Sequence, residues 1–475
     1  MRIVPLFGSG IAGKSFVVTR QRRLNVYFEN RQDADKTHVA AYGTPGLVAA
    51  FMATTPLSQP LRGLLGTQSA LYLVAYNQFQ SVTSTGASLA TGTLGTTSGL
   101  VSIAFSPTQV VIADGAQGYL YTPATTTFTT IAASFPNGAK TVTFVAGFFV
   151  AEQPGTAQFW VSNVNDGSTW GSLAFASATS YSDNILAVDN ISGNLVLFSQ
   201  LHTEFWQNVG TAPEPFAPIL SAANEFGLAA IFSRAHVNQT IIFLAQTREG
   251  QVQFVQISGY NAQPISNPDL EYIINQFSVV SDAVALSYEA DAHKFYQCTF
   301  PTANRSFLYD TSTGLWSDVQ TGPSVTPSRH WGNLSTYYAG RTLISDYATN
   351  QVYTTSPTQY TDNGQIIIRE IVTRHILSNF NRVRISLVYL DMETGVGLQT
   401  GQGFNPQIML QYSKDNGRTW SAERWVTSGL VGQYLTRVLW RRFGSTRDAT
   451  FRIRMSDPVK FVITEGAIKL AERPQ

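Results

Sequence analysis

The chain has 475 residues, is 44% hydrophobic and 13% charged, and carries a formal net charge of +1 at a mean hydropathy near zero. That length calls for several domains or one large repeat architecture, and the balanced charge excludes a strongly basic protein that wraps nucleic acid. The lone cysteine, Cys298, excludes an intramolecular disulfide, and no apolar run reaches the ~18 residues of a membrane helix. The opening Met1–Gly10 lacks the apolar core and cleavage site of a signal peptide, so a soluble chain folded in a reducing cytosol is expected.

Residues 1–60 read as an irregular docking segment. A basic patch of Arg20, Arg22 and Arg23 precedes the strand-like L-N-V-Y-F-E-N, and Y-G-T-P-G-L at Tyr42–Leu47 reads as a turn. Residues 61–357 fall into similar units of short apolar strands separated by Gly, Asn or Asp turns. Six units begin near Val101, Thr141, Asn184, Gly227, Lys294 and Asn333, and residues 61–84 supply a further unit or closing strands. Each runs strand, tight turn, aromatic-rich strand, turn, which is the grammar of a four-stranded antiparallel blade. An all-β fold is predicted, a β-propeller of six or seven blades, with tandem sandwiches as the competing arrangement. One helix is predicted within Asn267–Phe277, with Asn267 as cap and Pro268 in the first turn. Residues 358–475 read as an additional C-terminal β region, a platform or a sandwich, and more than half of the arginines fall there.

Motifs for chemistry are sparse. The histidines are scattered and never reach ligand spacing. The apolar sequence around Cys298 reads as a buried strand thiol. Asp391 and Glu393 share a strand face, where solvated or paired carboxylates are the simpler reading. His202, Glu204 and Trp206 alternate on one strand and read as packing plus a polar pair. The glycine-rich Thr91–Gly99 lacks the lysine of a phosphate loop and reads as a flexible turn. Ser413–Trp420, S-K-D-N-G-R-T-W, fits the Asp-box pattern, a hairpin device in which Ser413, Asp415 and Gly417 shape the turn and Trp420 packs beneath it. Asn163–Trp170 is a degenerate copy with Asn165 in place of the aspartate.

The segments L-D-M-E-T-G-V-G (Leu390–Gly397), M-L-Q-Y-S-K-D-N-G-R-T-W (Met409–Trp420) and R-V-L-W-R-R-F-G (Arg437–Gly444) resemble the packaged-DNA stabilization proteins of short-tailed double-stranded DNA bacteriophages, the tail hub or nozzle proteins. L-F-S-Q-L-H-T-E-F-W-Q-N-V-G (Leu197–Gly210) and the early Y-G-T-P-G-L fit as well. The resemblance implies a non-enzymatic virion protein without cofactor or metal, made in the host cytoplasm. It implies a homo-hexamer that extends the portal and adaptor channel and receives a tail needle, tailspike or fibre. Double-stranded DNA would pass through it without sequence-specific binding. On that reading Arg437, Arg441, Arg442 and Trp440 are expected at assembly contacts. The reading from another class is a sialidase-like or glycan-binding propeller tail protein.

Overall fold

The computed structural model describes residues 2–3, 11–30, 39–52 and 59–472, except 86, 132–133, 179, 182, 325 and 378–381. His38 and parts of the segment expected to be irregular lie outside these. The remainder of that segment holds strands Arg22–Leu24, Val26–Asn30, Val39–Gly43 and Gly46–Met52.

Seven antiparallel blades follow in chain order, at residues 61–93, 102–130, 142–177, 185–218, 227–264, 284–319 and 332–356. The seventh supplies only three strands of its own. Its outermost strand is Gly46–Met52, which pairs with Gln351–Ser356 and joins the two ends of the repeat array. The innermost strand of blade 7, Gly332–Tyr338, packs on Leu61–Gly66 of blade 1, so the ring is closed. The repeat grammar is therefore a β-propeller, with the blade number settled at seven.

Blade strands read as continuous apolar runs because both of their faces are buried. In Asn194–Ser199, Leu195 and Leu197 pack into the core shared with blade 3, whereas Val196 and Phe198 pack into the core shared with blade 5. Period-two alternation sends neighbouring side chains into two different cores. Every adjacent pair of blades shares such a core, and the blade 7–blade 1 core includes Leu61, Leu71, Leu73, Tyr338 and Leu343.

Inner strands of neighbouring blades do not form a common ladder, and their backbone groups need other partners. Hydroxyls supply several. The Ser102 Oγ accepts from Val142 N (3.1 Å), Thr141 Oγ1 from Val188 N (2.9 Å), Ser335 Oγ from Ser287 N (3.0 Å) and Thr336 Oγ1 from Gly66 N (2.7 Å). Between blades 4 and 5, Arg234 donates to the Val188 carbonyl (2.8 Å). The predicted helix is Pro268–Ile274, capped by the Asn267 side chain, which accepts from Leu270 N at 2.9 Å.

Residues beyond the propeller form a two-sheet sandwich. One sheet runs Val26–Asn30, Val39–Gly43, Val462–Glu472, Val383–Met392, Val438–Thr446. The other contains Arg369–Val372, Asp448–Met455, Gln407–Ser413 and Arg424–Thr427. Their common core includes Val26, Phe28, Ile385, Val388, Trp440, Phe451 and Ile453, so amino-terminal strands complete a carboxy-terminal domain.

The two units are joined through strand Arg22–Leu24. It pairs in parallel with Leu315–Val319, the outer strand of blade 6, and antiparallel with Arg369–Val372 of the sandwich. Buried charges line this join. Arg22 bonds Asp318 (2.8 Å) and Glu370 (3.3 Å), Arg305 bonds Asp318 (2.7 Å), and Arg454 bonds Glu370 (2.6 Å). Burial alone would raise the Asp318 carboxyl, but the guanidiniums of Arg305 and Arg22 outweigh it and hold the group below its ordinary value.

Asn25 completes the join. It is fully buried at a positive φ of 52°. Its amide donates to the carbonyls of Gln320 (3.0 Å) and Ile368 (2.9 Å) and accepts from Gln320 N (2.9 Å). Asn25→Ala should lower unfolding free energy by about 3 kcal/mol, since it orphans buried backbone groups and leaves alanine in the left-handed region. Denaturant titration reads the change, and a loss below about 1 kcal/mol would refute this role.

A second prediction concerns pH. Glu152 is buried in blade 3 with its carboxylate facing the Thr141 N–H and hydroxyl and the Lys140 N–H. Burial nevertheless pushes its carboxyl from 4.5 up to about 7, against those donors. A raised folded value means the proton is held more tightly in the folded chain. The stabilisation is complete below 4.5 and is lost as pH rises through about 7. The melting temperature of Glu152→Gln should therefore gain on that of the parent across this interval. A constant difference would contradict the assignment.

Candidate assembly surfaces

The expected site residues lie in the sandwich and separate into three environments. Ser413 Oγ accepts from Gly417 N (2.8 Å) and donates to Asp415 (2.6 Å), while Asp415 also accepts from Thr419 N (2.9 Å) and the Thr419 hydroxyl. The Ser413 and Thr419 hydroxyls bring the Asp415 carboxyl down to about 2. Asn416 and Gly417 adopt positive φ of 63° and 79°, which closes the hairpin. Trp420 is half-buried against the Arg452 guanidinium, 3.9 Å from its ring centroid. In the degenerate copy, by contrast, Trp170 is buried and donates to Gly167 O (2.9 Å).

The Asp-box turn also receives the amino-terminal strap of residues 11–20. Arg20 donates to Gly417 O (3.4 Å), and His375 bridges Asp448 (2.7 Å) and Phe16 O (2.8 Å). At its other end Ile11 is buried in the blade 5–blade 6 core beside Leu270 and Ile274. The strap thus spans propeller and sandwich, a contact that no sequence signal identified. A Cβ on Gly417 would lie 2.4 Å from Arg20 Cγ, and the φ of 79° disfavours any side chain. Gly417→Ala should cost roughly 1–2 kcal/mol locally and speed amide exchange in residues 15–20 by about tenfold. Unchanged exchange there would rule out the strap contact.

Among the expected assembly residues, Arg437, Arg441 and Arg442 are exposed, whereas Trp440 belongs to the sandwich core with its indole N–H donated to Arg424 O (2.9 Å). Alternation along a strand explains the split, since residue 440 faces inward and 441 outward. A bulge then intervenes: Ile385 opposes Gly444 while Leu387 opposes Arg441, so the strand holds one extra residue. Arg442 sits there at a φ of 68°, and two consecutive arginines face solvent.

The other polar motifs resolve into structural roles. Burial pushes the Cys298 thiol up to about 12, which leaves it inert as a nucleophile. Glu393 pairs with Lys460 at 2.8 Å. His202 is buried and stacked on Tyr181, with Asp183 at 3.2 Å, while Glu204 accepts from the Trp206 indole (3.2 Å). The glycine-rich segment, expected to be flexible, is organised around the Arg62 guanidinium. Arg62 donates to the carbonyls of Thr96 (2.8 Å), Ser98 (2.6 Å) and Gly99. One distant arginine satisfies carbonyls that the segment cannot satisfy itself. Among the described residues, no group of three or more His, Cys, Asp or Glu side chains could hold a metal ion, and no helix is long and apolar enough to cross a membrane.

Two family models match this arrangement unit by unit. The model described as bacteriophage P22 Gp10, beta-propeller, covers residues 42–360, and that described as bacteriophage P22 Gp10, beta-sandwich, covers residues 368–471. The chain belongs to the bacteriophage P22 Gp10 family. This is the phage tail hub, or nozzle, family, and its members are structural tail proteins of the virion. No curated protein sequence matches the chain. Solved structures resemble it loosely. The Neurospora crassa Pan2 WD40 domain is 10% identical over 69% of this chain and 98% of its own, with a TM-score of 0.43. The N-terminal domain of Nup159 is 10% identical over 71% and 99%, with a TM-score of 0.41. The computationally designed protein Ika8 is 11% identical over 70% and 99%, at 0.37.

Proposed function

We propose that the chain is the hub of a short phage tail, assembled as a homo-hexameric ring. The ring extends the portal and adaptor channel, retains packaged DNA, and receives the distal needle, tailspike or fibre. It acts by shape and contact rather than catalysis, without a cofactor, and is made in the host cytoplasm before joining the virion. The observation that carries this reading is the match of both units of the chain, in order, to the two units of the Gp10 family.

Several features support it. The closed propeller and the sandwich are joined by a shared sheet that runs from blade 6 into the sandwich. A ring also needs two different contact faces on each subunit, because head-to-tail interfaces close by rotation. The formal charge of +1 suits a wall past which DNA slides, since every phosphate neutralised would add to its grip.

Mass measurement of the purified chain, paired with negative-stain images, tests the reading. A sixfold ring with a central channel is expected. A monomer at every concentration, or hydrolysis of a glycan substrate, would overturn it.

A further inference from the structure

The near-neutral total conceals a strong division of charge. Residues 358–475 hold sixteen Lys and Arg against ten Asp and Glu, whereas residues 1–357 hold fifteen against twenty. The carboxy-terminal part is thus +6 and the remainder −5. Both signs meet on one sheet of the sandwich, at its two opposite edges.

At the edge formed by strand Val438–Thr446, Arg441 and Arg442 protrude from the bulge, with Arg437 just before the strand. Their side chains have no hydrogen-bond or ion-pair partner among the described residues. Lys469 extends this surface inward, because Leu387 is paired with both Arg441 and Lys469. Exposed, unpaired guanidiniums at a sheet edge are free to donate bidentate bonds to carboxylates of another copy.

The far edge is strand Val26–Asn30, where the sheet meets blade 6. A cleft of about 530 Å³ opens there, lined by Tyr27, Glu29, Tyr42, Asp291, Tyr360 and Lys460. Tyr27 and Tyr42 stack at 5.7 Å, and the Tyr27 hydroxyl donates to Asp291 at 3.4 Å. Lys460 is committed to Glu393, and the exposed Asp291 carboxylate stands at the cleft mouth. Behind the wall, buried Arg369 lies against Gly43 and feels the charge of Asp362, whose carboxyl burial pushes up to about 7. Aromatic faces beside carboxylates bind a planar guanidinium well, through ring quadrupoles and charge-assisted hydrogen bonds.

Four strand spacings, ~19 Å, separate the two edges. One subunit therefore presents an arginine edge on one side and an acid–tyrosine cleft on the other. Complementary but different faces on opposite sides suit a head-to-tail ring and not a two-fold dimer, whose contact must be self-complementary.

Resting on the ring reading above, we propose that the arginine edge of one copy docks into the acid–tyrosine cleft of the next. Arg441 and Arg442 are the inserted residues, and Tyr42, Tyr360 and Asp291 form the receiving walls, with Tyr27 buried behind them. Every subunit then donates one edge and accepts one, and the contact saturates only when the ring closes.

A charge swap on the full chain tests this. The concentration at which rings form is read by mass photometry for the parent, for Arg441→Glu/Arg442→Glu, for Glu29→Lys/Asp291→Lys, and for all four changes together. Each pair alone should raise that concentration by at least about tenfold, and the four together should restore most of the loss. Asp291→Asn keeps a residue that tolerates the turn (φ 49°) and should weaken assembly without lowering the melting temperature. Higher salt should weaken the parent and leave the single-pair variants little changed. Rings that survive either reversal, or a four-fold variant that folds but fails to assemble, would overturn the contact while leaving the hub reading in place. Reversal that spares the ring but weakens binding of a duplex DNA probe would overturn it too, by turning the arginine edge toward the channel. A parent that never assembles would sink the ring reading, and this contact with it.

Discussion

Insertion of the three-residue strand Arg22–Leu24 between blade 6 and the sandwich is the constraint on which the rest of the structure depends. Its pairing turns two independent sheets into one, running from Val284–Ala290 to Arg424–Thr427. Asp318 and Glu370 are buried at this join, bridged by Arg22 and held further by Arg305 and Arg454. Buried ion pairs add little net stability over apolar packing of the same volume, but losing one partner costs about 3–5 kcal/mol. The cluster therefore acts chiefly as a register device. A strand shifted by one residue would withdraw the Arg22 guanidinium from both buried carboxylates at once.

From that join the chain proceeds in two directions. Residues just after it supply a pair of strands to the sandwich and then the outer strand of blade 7, so the amino-terminal segment closes both units. The propeller is thereby held at residues far apart in sequence, and its ends cannot separate without breaking the Gly46–Met52 pairing. Hydroxyl-to-backbone bonds between inner strands then tie adjacent blades at modest cost, because a buried Ser or Thr both donates and accepts.

Much of this was legible in the residues. Blade strands announce themselves as short apolar runs between Gly, Asn and Asp turns, and the Asn267 cap with Pro268 marks the single α-helix among the described residues. The Asp box at Ser413–Gly417 folds as its side-chain chemistry dictates, since every bond in it is local. Trp420 and Trp440 were less readable. Trp440 is in the core rather than on the surface because strand phase relative to a distant partner decides which side chains face inward, and Trp420, between two strands, rests on Arg452 of a third. The Arg62 guanidinium inside the glycine-rich segment illustrates the same limit, as residues some thirty apart cooperate only once the hairpin of blade 1 has formed.

By itself the sequence determined the all-β class, the repeating blade, the local turns, and the family to which the chain belongs. These rest on side-chain period, turn residues and wording within a few positions, which a linear reading contains. Tertiary structure alone decided the seventh blade and its closing strand, the insertion of Arg22–Leu24, the strap across the Asp box, and the placement of an arginine edge opposite an acid–tyrosine cleft. Each of those joins residues hundreds of positions apart. Their pairing is chosen by burial and backbone hydrogen-bond satisfaction over the whole fold, which no local pattern encodes.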